Sequence, residues 1–258
     1  MNRIQQPLAP PKEVSAEPAF DIESALFAAP SGDSTHALFA PLHYEAHYAY
    51  PLIVWLHGSD DDEGQLTRIM PAVSLRNYVA VAPRGFPIPS GGRSDGTRYG
   101  WPQTPEEIQG AEQRIAESIE AAAERLNIAP GRVFLAGFDA GGTMAFRVAM
   151  NRPYRFAGVL SLGGAFPTGH TPLGRLAEAR RLQVFLAVGR DSLRYPAATV
   201  CDDLRLLHTA GMSVTLRQYP CGHELSPQML RDVDRWIIEQ ITQPPESSQT
   251  TDSRQSRF

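Results

Sequence analysis

The chain has 258 residues, of which 42% are apolar, enough for a single domain with a sizeable core. Its 24 basic and 28 acidic residues leave a net charge of −4, with no basic footprint for nucleic acid and no polybasic patch for a membrane surface. Two cysteines, Cys201 and Cys221, build no disulfide framework, and no apolar run nears the roughly 20 residues of a membrane span, which points to a reducing cytoplasm.

Residues 1–18 carry Pro7, Pro10, Pro11 and Pro18 and lack the apolar stretch of a secretory signal; they read as a disordered or loosely docked leader. The folded domain is expected over residues 19–242. Residues 20–28 and 35–42 read as an antiparallel pair around the turn-rich Pro30-Ser31-Gly32-Asp33-Ser34. The continuous apolar run 52–56 predicts a strand covered on both faces, and a helix through Leu66, Ile69, Met70 and Val73 follows it. A second buried strand is expected over 78–82. Thr104-Pro105-Glu106-Glu107 has the N-cap, first-turn proline and early acids of a helix start, with Ile108, Ala111, Ile115, Ile119 and Ala122 on one stripe beyond it. Further strands over 133–136, 158–162, 182–188 and 213–219 alternate with helices from about 143, over 197–210 and over 226–241. Alternation of this kind makes a mostly parallel sheet with helices on both faces. Residues 243–258 are polar and low in complexity and read as a disordered tail.

The stretch that organises the chain is Gly137-Phe138-Asp139-Ala140-Gly141, set between the apolar run 133–136 and an amphipathic helix. It has the spacing of a nucleophile elbow, G-x-S-x-G, in which the central side chain is thrust out above the sheet on a strained turn. Its flanking positions must be nearly free of side chains, and both are glycine. The central residue is Asp139 instead of serine.

In a parallel α/β sheet, functional groups collect in the loops at the carboxyl ends of the strands. Here those loops carry His57-Gly58-Ser59, Asp139, Gly189-Arg190-Asp191 and Cys221-Gly222-His223-Glu224. The order elbow residue, acid, histidine is that of the α/β-hydrolases. Together with Leu56-His57-Gly58, Ala82-Pro83-Arg84-Gly85 and Gly222-His223-Glu224, these motifs resemble the phospholipase/carboxylesterase branch of that fold, which includes acyl-protein thioesterases, over about residues 20–242. The resemblance implies an α/β-hydrolase fold with a mostly parallel central sheet. No large cap domain is expected, because residues 166–181 are too few for one. It also implies a small ester-like substrate and no metal or organic cofactor. Carried across, Asp139 stands at the nucleophile, Asp191 at the triad acid and His223 at the base. The backbone N–H groups of Ser59 and Ala140 stand at the oxyanion hole, and Gly-Phe-Asp-Ala-Gly-Gly replaces the family's usual Gly-Phe-Ser-Gln-Gly-Gly.

The aspartate leaves three chemistries open. A carboxylate is ionised at neutral pH without help from a base. Its attack on an acyl ester gives a mixed anhydride that collapses backwards, so an esterase would use Asp139 and His223 to orient water instead. Attack on a saturated carbon bearing halide, or on an epoxide, gives a stable ester that His223 helps water to cleave, as in the dehalogenase and epoxide-hydrolase branches. The third chemistry is none: a pseudo-hydrolase that binds an ester-like ligand. Tyr99 and Trp101, in the turn-rich stretch 91–104, are candidate pocket residues. Asp60-Asp61-Asp62-Glu63 lacks the alternating spacing of a calcium loop and reads as solvated, with no metal. The oligomeric state is not written in the sequence.

Overall fold

The computed structural model describes residues 35–88, 97–170 and 172–242. The expected leader, the strand over 20–28 and the tail lie outside the described residues. The strands are β1 (His36–Phe39), β2 (Tyr50–Leu56), β3 (Val79–Pro83), β4 (Phe86–Ile88), β5 (Arg98–Gly100), β6 (Ile128–Phe138), β7 (Gly158–Leu162), β8 (Gln183–Gly189) and β9 (Val214–Tyr219). The helices are α1 (Gln65–Val73), α2 (Pro105–Arg125), α3 (Ala140–Asn151), the short α4 (Leu176–Ala179), α5 (Ala197–Thr209) and α6 (Pro227–Thr242). Seven strands form one sheet in the order β1-β3-β2-β6-β7-β8-β9. All its pairings are parallel except that of β1 with β3.

Side-chain alternation along the strands splits the core in two. On one face Leu52, Val54, Leu56, Leu135 and Val159 meet buried residues of α2, α3 and α5. On the other, Ile53, Trp55, Phe134, Leu160 and Phe185 meet α1 and α6. The strands are therefore apolar on both sides, which is why they appear in the sequence as unbroken runs instead of alternating ones. Trp55 is fully buried, and its Nε1–H donates to Gln65 Oε1 at 2.7 Å. Thr104 caps α2 as expected: its Oγ1 accepts from the Glu107 backbone at 3.4 Å and donates to the Glu107 carboxylate at 2.8 Å.

Three features depart from expectation. β6 runs well beyond residues 133–136, and α3 begins at Ala140 instead of about residue 143. The third is the antiparallel pairing of β4 with β5, since β5 falls within the stretch 91–104 read as loop. The early start of α3 has a steric cause. Gly141 and Gly142, which read as loop residues, let the first helical turn press against the sheet. A Cβ on Gly141 would run into the carbonyl oxygens of Leu56 and His57, and one on Gly137 would lie 2.5 Å from the Gly141 backbone. Gly141→Ala should therefore cost about 3 kcal/mol or more of stability, at or beyond the upper end for overpacking, read as a fall in the denaturant midpoint. A midpoint equal to that of the unmodified chain would mean that the helix can slide away from β2.

Candidate active site

The turn from β6 into α3 places Asp139 at φ 52° and ψ −122°, outside the ordinary regions for a residue with a side chain. Such a conformation costs on the order of 1–3 kcal/mol and persists only where the surroundings fix it. Here the Asp139 N–H donates to Leu162 O at 2.9 Å, and its carbonyl accepts from Thr143 at 3.1 Å. Although Asp139 occupies the N-cap of α3, its carboxylate makes no capping bond. The side chain points instead at the loops after β2, β8 and β9. Oδ1 lies 2.9 Å from His223 Nε2, while Oδ2 accepts from the Ser59 N–H at 3.3 Å and from Arg194 Nη1 at 3.0 Å.

The structure therefore joins Asp139, His223 and Ser59. It does not join Asp191. That carboxylate is 61% exposed and pairs with Arg190 at 3.3 Å, and the partner of His223 Nδ1 is Ser192 Oγ at 2.9 Å. The reason lies in the turn after β8. The Asp191 N–H donates to Cys221 O at 3.0 Å and the Ser192 N–H to Gly189 O at 3.2 Å, so the turn faces Ser192 inward and Asp191 outward. Ala140, the second expected donor of the oxyanion hole, opens α3 directly behind Asp139.

The expected pocket residues have other tasks. Trp101 is 3% exposed, packs with the core, and donates its Nε1–H to His57 O at 3.0 Å. Tyr99 sits in β5 beneath the Arg84 guanidinium, which is 5.2 Å from its ring centre. Both hold the loop that carries Ser59. His57 does the same. The Gly85 N–H must donate to its Nε2, so Nδ1 carries the proton and donates to Gly58 O. Burial lowers the pKa of this ring and keeps it neutral. Three of the four acids of the run 60–63 are held by arginines: Asp60 by Arg98, Asp61 by Arg68 and Glu63 by Arg84. Cys221 sits beside His223 in sequence, but burial pushes its thiol further from ionisation.

Two residues of the site were not found by sequence reasoning, Ser192 and Arg194. Neither belongs to a motif, and a loop serine or arginine carries no periodicity. Their roles come from the closeness of the loop after β8 to the elbow. Burial works to raise the pKa of Asp139, but its hydrogen bonds to Ser59 and His223 outweigh that, and the carboxyl lies below its usual range. The ionised form thus adds stability above about pH 4, and this contribution is lost as pH falls through the depressed folded value. The thermal midpoint of the unmodified chain relative to Asp139→Asn should accordingly drop between about pH 7 and pH 3. A difference that stays constant with pH would mean that these partners do not favour the charge.

Comparison with known proteins agrees with this architecture. The family described as Phospholipase/Carboxylesterase matches residues 43–241. A probable carboxylesterase of Oryza sativa subsp. japonica is 25% identical over 233 residues, covering 81% of this chain and 85% of the rice protein. Among solved structures, the carboxylesterase of Bacillus cereus superposes with a TM-score of 0.64 at 17% identity, over 81% of this chain and 96% of that one. Acyl-protein thioesterase 2 of Zea mays gives a TM-score of 0.63 at 17% identity, over 80% of this chain and 98% of that one. These two structures share the α/β-hydrolase fold, and the family match takes in the turn at Asp139 and the loops that carry Ser59 and His223 alike. The chain belongs to the phospholipase/carboxylesterase family of α/β-hydrolases.

Proposed function

We propose that the chain is a hydrolase acting on a small, ester-like substrate through Asp139 and His223. The observation that carries this reading is the division of the Asp139 carboxylate: Oδ1 on the histidine, Oδ2 on a backbone N–H and a guanidinium. Among the open routes, this division favours attack by Asp139 itself on a saturated carbon bearing a leaving group. Oδ1 would form the new C–O bond while the leaving group departs with its electron pair. Water would then attack Cγ of the aspartyl ester and give its proton to His223 Nε2. The negative charge would develop on Oδ2, where Ser59 already donates. Collapse breaks the Cγ–Oδ1 bond: the alcohol leaves carrying the former Oδ1, protonated by His223, and the oxygen of the water completes the restored carboxylate. The alternative, water attack on an acyl carbon, requires Asp139 to leave Ser59 so that the N–H can meet the substrate carbonyl.

A shallow apolar groove begins on the segment after β7 and is lined by Phe166, Pro167, Leu173 and Leu206, among others. Thr143 Oγ1, one turn into α3, donates to Ala165 O at 2.9 Å and ties that segment to the elbow helix. Arg147, further along α3, donates to Gly169 O at 2.8 Å and to Thr168 O at 2.6 Å, and so holds the groove wall. In this reading the groove takes the apolar part of the substrate.

The test is intact-protein mass spectrometry of the unmodified chain and of His223→Ala, incubated with short p-nitrophenyl esters, haloalkanes and epoxides. Loss of the base should trap an ester on Asp139, with a mass gain that identifies the transferred group, and Asp139→Ala should abolish it. Turnover of p-nitrophenyl esters without an adduct would replace the covalent route by water attack. Neither adduct nor turnover across the panel would overturn the hydrolase reading in favour of a ligand-binding protein.

A further inference from the structure

We propose that the hydroxyl of Ser192, and not the carboxylate of Asp191, is the positioning group of His223, and that it lets the imidazole change which nitrogen carries its proton. The first half rests on geometry alone; the second rests on the hydrolase reading above. Ser192 is 4% exposed and its Oγ lies 2.9 Å from His223 Nδ1. The same Oγ accepts the Tyr195 N–H at 3.1 Å, which leaves its own hydrogen directed elsewhere. Tyr195 is buried and fixed in turn, its hydroxyl donating to Asp203 Oδ2 at 2.7 Å, an oxygen that also accepts the Phe166 N–H at 2.8 Å. The seat of the hydroxyl is therefore built from three parts of the chain.

The proton positions follow from which groups can only donate and which can only accept. The ionised Asp139 only accepts, so His223 Nε2 carries a proton and donates to Oδ1. In the neutral ring Nδ1 is then an acceptor, and Ser192 O–H donates to it. A carboxylate at this place would do the reverse: it can only accept, so it would hold the proton on Nδ1. A hydroxyl serves both states. Once Asp139 is esterified, Nε2 no longer faces an anion. The ring proton can then reside on Nδ1 and donate to Ser192 Oγ, and the freed Nε2 lone pair can take the proton of the attacking water. Solvent takes the proton from Nε2 and returns one to Nδ1, so the net charge of ring, hydroxyl and attacking water is unchanged. Asp191 takes no part, since its carboxylate faces Arg190 in solvent.

The experiment is NMR of the full chain labelled with 15N-histidine, which reads the protonation of each ring nitrogen directly. The spectra compared are those of the unmodified chain, Ser192→Ala, Ser192→Thr and Asp191→Asn. The expected result is a His223 ring protonated at Nε2 with Nδ1 as acceptor. With Asp139 keeping the proton on Nε2 throughout, the Nδ1 resonance should lose the shift of an accepted hydrogen bond in Ser192→Ala, regain it in Ser192→Thr and stay unchanged in Asp191→Asn. An unchanged spectrum in Ser192→Ala, or a shifted one in Asp191→Asn, would overturn the positioning role. The threonine variant guards against misfolding of the alanine one. With a substrate that labels Asp139, Ser192→Ala should slow breakdown of the adduct at least 10-fold while its formation changes little. Equal breakdown rates would overturn the exchange of tautomers. If neither the unmodified chain nor His223→Ala forms an adduct, the covalent route fails and the exchange of tautomers fails with it, while the NMR comparison still decides the positioning role.

Discussion

The close approach of α3 to the sheet is the constraint on which the site depends. Because Gly141 lies against the carbonyl oxygens of Leu56 and His57, the chain leaving β6 must turn within one residue, and that residue is Asp139. The turn forces its backbone to positive φ, and the two apolar cores on either side of the sheet offset the cost of holding it there. The same approach brings the end of β2, and with it Ser59, to the foot of the elbow. The turn at Asp139 and the nearness of the Ser59 loop to it are thus consequences of one packing contact.

An aspartate changes the electrostatics of this turn more than its shape. A serine would present a neutral hydroxyl at the mouth of the site. The carboxylate presents a charge in a half-buried place and draws three donors onto itself: the Ser59 N–H, the imidazole and Arg194. A charge so placed is tolerated because each oxygen is satisfied. The exposed ion pairs of the same region, such as Arg190 with Asp191, add little by comparison, since solvent screens them.

Much of this architecture was legible in the sequence because it rests on local chemistry. Strands buried on both faces appear as unbroken apolar runs, the cap of α2 as Thr104-Pro105-Glu106-Glu107, and the elbow as two glycines around Phe138-Asp139-Ala140. The positions of Asp139, Ser59 and His223 follow from these elements and from strand order. What the sequence withheld is decided by packing between distant segments. Asp191 and Ser192 are neighbours in one short turn, and only the pairing of that turn with Cys221 determines which of them faces the histidine. Trp101 has the residue type of a pocket wall. Its indole is instead spent on the His57 carbonyl, a partner 44 residues away. The start of α3 was missed for a related reason: glycines that read as loop serve close packing when they fall in the first turn of a helix.

Arg147 has a consequence for motion. Its guanidinium is buried with no carboxylate partner among the described residues, and it is satisfied by Gln103 and by the carbonyl oxygens of Thr168 and Gly169. Were those carbonyls to swing away, a positive charge would be left stranded in the interior, at a cost of several kcal/mol. Residues 165–169 after β7 are therefore built as a fixed template and not as a flap. If the groove takes substrate as proposed, molecules would be sorted there by fit to a standing shape, and the slow opening and closing that paces many enzymes would have no place at this wall.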